Sequence, residues 1–203
     1  KETQFPHGMV DTGENVTNVE LVYAGQEVEI TETSASFYNQ RQKVQVALNK
    51  LLEQDEAFGI GMNGEISAVT FGLYAQEDIT AADGSVIPAD GLLEIISVNE
   101  NGQAACATDL PFGNFYLKEL STDSHYLLNG EIFPFNFEYG GPSVAVVEIT
   151  ANDGEAITNE LIRGEIHGLK TDENGTGLGG AVIGLFRSDE TEFTAENALA
   201  TTT

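Results

Sequence analysis

Tryptophan is absent, cysteine occurs once, and lysine and arginine together number 8 against 33 acidic residues, a formal net charge of −25 over 203 residues. Each scarcity excludes something. A lone Cys106 cannot form an internal disulfide, so a disulfide scaffold is ruled out and stability must come from elsewhere. Nucleic acid and anionic membrane surfaces are bound through basic side chains, so neither is an expected partner. The acidic excess favours a soluble, self-repelling surface. No run approaches the roughly 18 apolar residues of a membrane span. No leader-like segment stands at Lys1 and no sorting signal at Thr203, which leaves this stretch silent on its own targeting. His7, His125 and His167 are scattered without metal-ligand spacing, and no phosphate loop or G-x-S-x-G motif appears. The expectation is therefore no metal and no cofactor.

What is present reads as strand and turn. Gly is frequent (22 residues), and Thr and Val fill short alternating runs. The pattern predicts strands over 44–51, 69–75, 92–98, 103–107, 114–120, 133–139, 144–150 and 156–162. Turn signals at Ala82-Asp83-Gly84, Asn101-Gly102, Gly140-Gly141-Pro142 and Asn152-Asp153-Gly154 punctuate them. Seven or eight such strands in roughly 120 residues predict an all-β, antiparallel β-sandwich. Short helical turns are expected only over 77–82 and 191–198.

Internal repetition decides the organisation. Lys1-Glu2-Thr3 resembles Lys118-Glu119-Leu120, and VELVYAGQEVEI, starting at Val19, resembles FNFEYGGPSVAVVEI, starting at Phe135. Asn39 precedes Lys50 by 11 residues, and Asn159 precedes Lys170 by the same 11. Past each lysine, VTFGLYA (from Val69) reads like AVIGLFR (from Ala181). The chain is thus cut out of phase with its repeats: residues 1–42 are the back half of one unit, 43–164 a complete unit, and 165–203 the front half of a third. Both ends lack partner strands within the chain, so they are expected to be exposed, paired with neighbouring molecules, or poorly ordered.

Three polar residues fall in register with apolar faces. Val44, Val46, Leu48 and Lys50 alternate on one side of the first strand of the complete unit; Phe115, Leu117 and Glu119 do so in the middle, and Ile157, Asn159 and Leu161 in the last. An unpaired carboxylate on a core face costs several kcal/mol, so Glu119 needs partners, and Lys50 and Asn159 are the candidates. Burial disfavours the charged form of both an amine and a carboxyl, so such a pair can meet as neutral amine and neutral acid. A neutral amine is a nucleophile. The acid can hydrogen-bond the Asn159 carboxamide oxygen, polarise its carbon and shuttle protons as ammonia leaves. The product is an amide bond from Lys50 Nζ to Asn159 Cγ, made once per molecule with proximity supplying the effective molarity. The plainer reading is a buried Lys–Glu ion pair with Asn completing the hydrogen bonds. Against it, the chain has only five lysines, and four form repeat-equivalent pairs: Lys1 with Lys118, and Lys50 with Lys170.

The complete unit resembles the B-type repeat of Gram-positive collagen adhesins, also called the SpaA-like or prealbumin-like pilin domain. The matching stretches are VALNK, the FGLY strand, NENGQAACATDLPFGNFYLKEL and the terminal ITNE. The resemblance implies tandem prealbumin-like or Ig-like sandwich units, and maps the family's lysine, catalytic glutamate and asparagine onto Lys50, Glu119 and Asn159. In the partial units it maps them onto Glu2, Asn39 and Lys170. It further implies an extracellular, cell-wall-associated stalk whose partners are neighbouring repeats of the same protein. Two departures concern loops: 53–68 is longer than usual, and the Pro-Gly typical after the glutamate is replaced by the run from Ser121 to Tyr126. Closing residues 50–159 by a covalent link would stabilise by roughly 4–5 kcal/mol, by analogy with the disulfide loop-entropy model.

An alternative is a module that binds a glycan or host matrix protein through loops 53–68 and 78–91, where Phe58 is the only aromatic. An enzyme has the least support, since the one chemical constellation consumes itself. Lys170 lacks its Glu and Asn, and Asn39 its Lys; with strands missing from each half, covalent closure between them is not expected. Asp172-Glu173-Asn174-Gly175 reads as an acidic turn rather than a calcium loop. Cys106 reads as a small buried hydrophobe in mid-strand, and the Asn15 and Asn174 sequons mean little outside a eukaryotic secretory context.

Overall fold

The computed structural model describes residues 1–80 and 83–203. Among them every regular element is a strand, apart from two short 3-10 turns at Glu65–Ala68 and Asn152–Gly154. In chain order the strands are β1 (Met9–Val10), β2 (Gln40–Arg41), β3 (Lys43–Leu52), β4 (Thr70–Ala75), β5 (Ile79–Thr80), β6 (Val86–Ile87) and β7 (Leu92–Ser97). Then follow β8 (Gln103–Ala105), β9 (Gly113–Ser121), β10 (Ile132–Phe137), β11 (Val146–Thr150), β12 (Ile157–Asn159), β13 (Ile183–Leu185) and β14 (Ala200–Thr202). The fold is all-β, as the alternation predicts. No helix is long and apolar enough to cross a membrane among the described residues.

Two sheets carry the larger unit, Lys1–Ile162. One has the order β10-β9-β4-β7, antiparallel throughout. The other is β11-β3-β12, with β8 also pairing β3. Here β3 is antiparallel to β8 but parallel to both β11 and β12. Each strand turns its alternate apolar residues inward because successive side chains leave opposite faces. Phe71, Leu73, Phe115, Leu117, Phe137, Leu48 and Ile157 are thereby fully buried between the sheets, each such side chain contributing about 1.5–3 kcal/mol.

Residues 1–42 belong by contacts to this unit. Arg41 donates to the Leu110 carbonyl and pairs with Asp109 at 2.6 Å. Gln42, fully buried, donates through Nε2 to the carbonyls of Val144 (2.6 Å) and Gly141 (3.1 Å), while its Oε1 accepts from Gly140 N–H. A buried amide with its donors and acceptor engaged costs little and fixes register. Beyond this clamp, residues 11–39 form no strand, and Val19, Leu21, Val22, Tyr23 and Ile30 are exposed.

The smaller unit, Arg163–Thr203, contains the β13–β14 hairpin and an isolated bridge between Thr171 and Gly177. None of its residues is buried. Asp172 Oδ1 accepts from Asn174 N–H and Thr176 N–H, so the acidic turn caps its own backbone.

Neither expected helical turn forms. Residues 79–80 are β5, which pairs with β6, and Ala81 and Ala82, with the start of the Ala82-Asp83-Gly84 turn, lie outside the described residues. Thr194 to Asn197 is a single hydrogen-bonded turn. Cys106 is half-buried and sits just past the end of β8 rather than in mid-strand. Burial and then the Glu94 carboxylate push its thiol up to about 12.

Candidate cross-linking site

Lys50 and Asn159 arrive on neighbouring strands of one sheet, and Glu119 reaches them from the other. β3 and β12 run parallel with Lys50 opposite Ile157, two residues before Asn159. β9 lies across the core, with Glu119 opposite Phe71 of β4. The inward faces inferred from alternation are the inward faces here: Lys50, Glu119 and Asn159 are 3%, 1% and 2% exposed.

Glu119 touches both partners, one with each oxygen. Its Oε2 stands 3.4 Å from Lys50 Nζ, and both side chains are sealed from solvent. Its Oε1 accepts a hydrogen bond from Asn159 Nδ2 at 2.9 Å. The same Nδ2 donates to the Leu127 carbonyl at 2.6 Å, and Lys50 Nζ donates to the Ile157 carbonyl at 3.1 Å. Burial lowers the pKa of Lys50, against which the Glu119 charge and hydrogen bond act. That is the direction a nucleophilic amine requires.

The amide orientation departs from the sequence-based expectation. Glu119 meets the carboxamide nitrogen, and Asn159 Oδ1 is left without a hydrogen-bond partner. Two acceptors, Glu119 Oε1 and the Leu127 carbonyl, converge on this end of the side chain, and only an N–H can satisfy both. Proton traffic then has a short route. A proton on the Lys50 amine has Oε2 beside it, and Oε1 lies against Asn159 Nδ2.

Three contributors carried no signal in the sequence beyond their residue type. Gly102 accepts Lys50 N–H at 2.6 Å; it holds φ near +75°, and a Cβ there would stand 2.2 Å from the Lys50 carbonyl oxygen. The Asn101-Gly102 pair reads as a turn, but its role as the seat for Lys50 is a tertiary fact. Leu127 acts through its carbonyl alone. Asn15, prominent only as a sequon, is buried and donates to Asn39 Oδ1 at 3.2 Å.

The repeat-equivalent residues divide. Glu2 and Asn39 are brought together, with Asn39 Nδ2 donating to Glu2 Oε1 at 3.0 Å. Lys170 lies in the smaller unit, where its Nζ donates to the Thr171 carbonyl. Loop 53–68 carries a bridge between Asp55 and Ile60 and leaves Phe58 half exposed. No group of three or more metal-ligating side chains was found among the described residues.

Neither a family model nor a curated protein matches the chain. Solved structures do. The chain is similar to pilins. The minor pilin GBS52 of Streptococcus agalactiae is 16% identical over 66% of this chain and 52% of its own, with a TM-score of 0.39. The group B streptococcus pilus 2b backbone protein is 16% identical over 65% of this chain and 47% of its own, at 0.37. The Corynebacterium diphtheriae major pilin SpaA is 18% identical over 58% and 30%, at 0.33. The chain spans about half or less of the length of each.

Proposed function

We propose that this chain is a structural segment of a bacterial cell-surface stalk, from an adhesin or a pilus-like fibre, whose complete unit is closed by an autocatalytic amide bond between Lys50 and Asn159. The observation that carries the reading is the position of Glu119. A single carboxyl, shut away from water, contacts the would-be nucleophile with one oxygen and the would-be leaving nitrogen with the other.

The reaction balances within these three side chains. Lys50 Nζ, in the neutral form that burial favours, attacks Asn159 Cγ. The proton it sheds passes through Glu119 to Nδ2, the Cγ–Nδ2 bond breaks, and ammonia leaves. Glu119 is regenerated, and no cofactor or oxidant takes part. The interior supplies proximity and excludes the water that would compete. The product also removes a standing cost, since an amide nitrogen has no charge to bury whereas an amine beside a carboxylate does.

Intact-mass measurement of the purified chain tests this directly. The expected mass is one ammonia below the value calculated from sequence, restored to the full value by Glu119→Ala. A wild-type chain at full calculated mass would refute the cross-link and leave the buried ion pair as the description of the site.

A role for the loops rests on one observation, the half-exposed Phe58 ring. If loop 53–68 binds a glycan or matrix protein, Phe58→Ala should abolish retention on immobilised collagen, fibrinogen or glycan arrays without changing the melting temperature. The stalk reading expects no such retention for either protein.

A further inference from the structure

Asn159 stands at the weakest place in its ladder. It is the last residue of β12 and pairs with Leu52, the last residue of β3. Strand ends open most readily, because beyond them the backbone has lost its neighbour. Yet the Asn159 amide carbon has to stay within reach of the Lys50 amine. In a reaction driven by proximity, a misplacement of about 1 Å is worth about 10²-fold in rate. Something past the ladder has to hold this strand end.

Two residues outside the reacting trio do so. Glu53, the first residue past β3, donates its N–H to the Asn159 carbonyl at 3.1 Å, and its Oε2 accepts from Leu161 N–H at 2.9 Å. It thereby grips the chain at Asn159 and again two residues later. Its own carbonyl accepts from the hydroxyl of buried Tyr126 at 2.9 Å. Tyr126 faces Leu161 across an isolated antiparallel bridge. Hydrogen bonds from Ile162 N–H to the His125 carbonyl and from Leu127 N–H to the Glu160 carbonyl flank that bridge. The strand end is thus clasped along both edges, and the Tyr126 hydroxyl ties one edge to the other. The same segment presents the Leu127 carbonyl to Asn159 Nδ2. Gly61 brings the long loop 53–68 down onto this tie. It holds φ near +85°, and a Cβ there would stand 2.8 Å from both the Glu53 carbonyl oxygen and the Tyr126 hydroxyl.

We propose that Glu53 and Tyr126 are positioning residues for the Lys50–Asn159 closure, and that loop 53–68 is the cover of this brace. The inference rests on the cross-linking reading given above. Both residues act through the backbone around Asn159: Glu53 by holding it directly, Tyr126 by holding Glu53 and the segment that carries the Leu127 carbonyl. The brace adds no chemical step; it sets how fast the closure proceeds once the sandwich has formed. What Leu161 N–H requires of Glu53 is an acceptor at that reach, and a glutamine carbonyl supplies one without the charge. Geometry and charge are therefore separable at this position.

The experiment makes the full chain by cell-free synthesis, halts translation, quenches samples in acid at intervals and reads the fraction lacking one ammonia by intact mass. Glu53→Ala is expected to close at least about tenfold more slowly than the parent, and Tyr126→Phe several-fold more slowly. Glu53→Gln is expected to close within about twofold of the parent, since it keeps the acceptor. The same substitutions placed in an Asn159→Ala chain, which cannot close, are followed by denaturant unfolding and are expected to remain folded under the closure conditions. If Glu53→Ala does not fold there, Tyr126→Phe decides, because it removes one hydroxyl and leaves the buried ring. Closure at the parental rate in the folded variants overturns the brace and spares the internal bond. Glu53→Gln as slow as Glu53→Ala overturns it too, since the acceptor would not be what positions Asn159. A parent that never loses ammonia overturns the cross-link itself, and the brace with it.

Discussion

The acid–amide pairs at Glu119–Asn159 and Glu2–Asn39 are alike in their hydrogen bond and unlike in their surroundings. The first lies between two sheets, with Glu119 in register with Phe71 and an amine against its second oxygen. The second sits among residues that form no strand, held by one buried asparagine. The second pair therefore forms outside the strand ladders. What the sandwich adds is the lysine, delivered by a parallel neighbour, and a dry setting that lowers its proton affinity.

The largest effect expected along this contrast comes from Glu119→Ala. It removes the proton relay, so the link does not form, and stability falls by about 4–5 kcal/mol for the lost closure, with several more for a lysine left buried and unpaired. Denaturant unfolding reads the loss. A variant as stable as the parent would show that the three side chains are merely packed.

Gly102→Ala attacks the delivery of the amine and leaves the acid–amide pair alone. The positive φ and the 2.2 Å approach to the Lys50 carbonyl oxygen predict a loss of about 2–4 kcal/mol and incomplete cross-linking, visible as two mass species after expression. One fully linked species at parental stability would show that the Gly102 turn does not seat Lys50.

The smallest effect is a dependence on pH. In Asn159→Ala the amine stays free, and its folded pKa lies below the ordinary lysine value of 10.5 because burial disfavours the charge. Between those two values the unfolded chain holds more protons than the folded one, so stability rises with pH, by at most about 1.4 kcal/mol per unit. A parent closed by the proposed link has no titrating amine at this position and is expected to lack that slope. Equal slopes in parent and variant, from unfolding curves at stepped pH, would mean the parent amine is also free.

Local periodicity carried the strands and their inward faces, because alternation is written residue by residue. The strands β3, β4, β7, β9, β10, β11 and β12 all stand where alternating apolar runs place them, and Lys50, Glu119 and Asn159 keep the parity read from their neighbours. Periodicity is blind to partnership across the fold. The parallel course of β3 beside β11 and β12, the seat that Gly102 makes for Lys50, and the Leu127 carbonyl that turns the Asn159 amide all depend on residues dozens of positions away. Gln42 shows the limit most plainly: it stands outside every apolar run, yet that glutamine is fully buried because the 140–144 turn brings it a donor and two acceptors. At residues 79–80 a β-hairpin overrode the expected helical turn, as pairing across the 78–91 loop satisfies backbone groups that one turn of helix would leave open.

The parallel pairing of β3 with β12 has a mechanical meaning. Because these strands run the same way, Lys43 and Asn159 lie toward opposite ends of the sheet, and the polypeptide enters β3 at one end and leaves β12 at the other. Tension along such a path drags the two strands lengthwise past each other. Every ladder bond between them is then loaded together in shear, instead of being unzipped one by one.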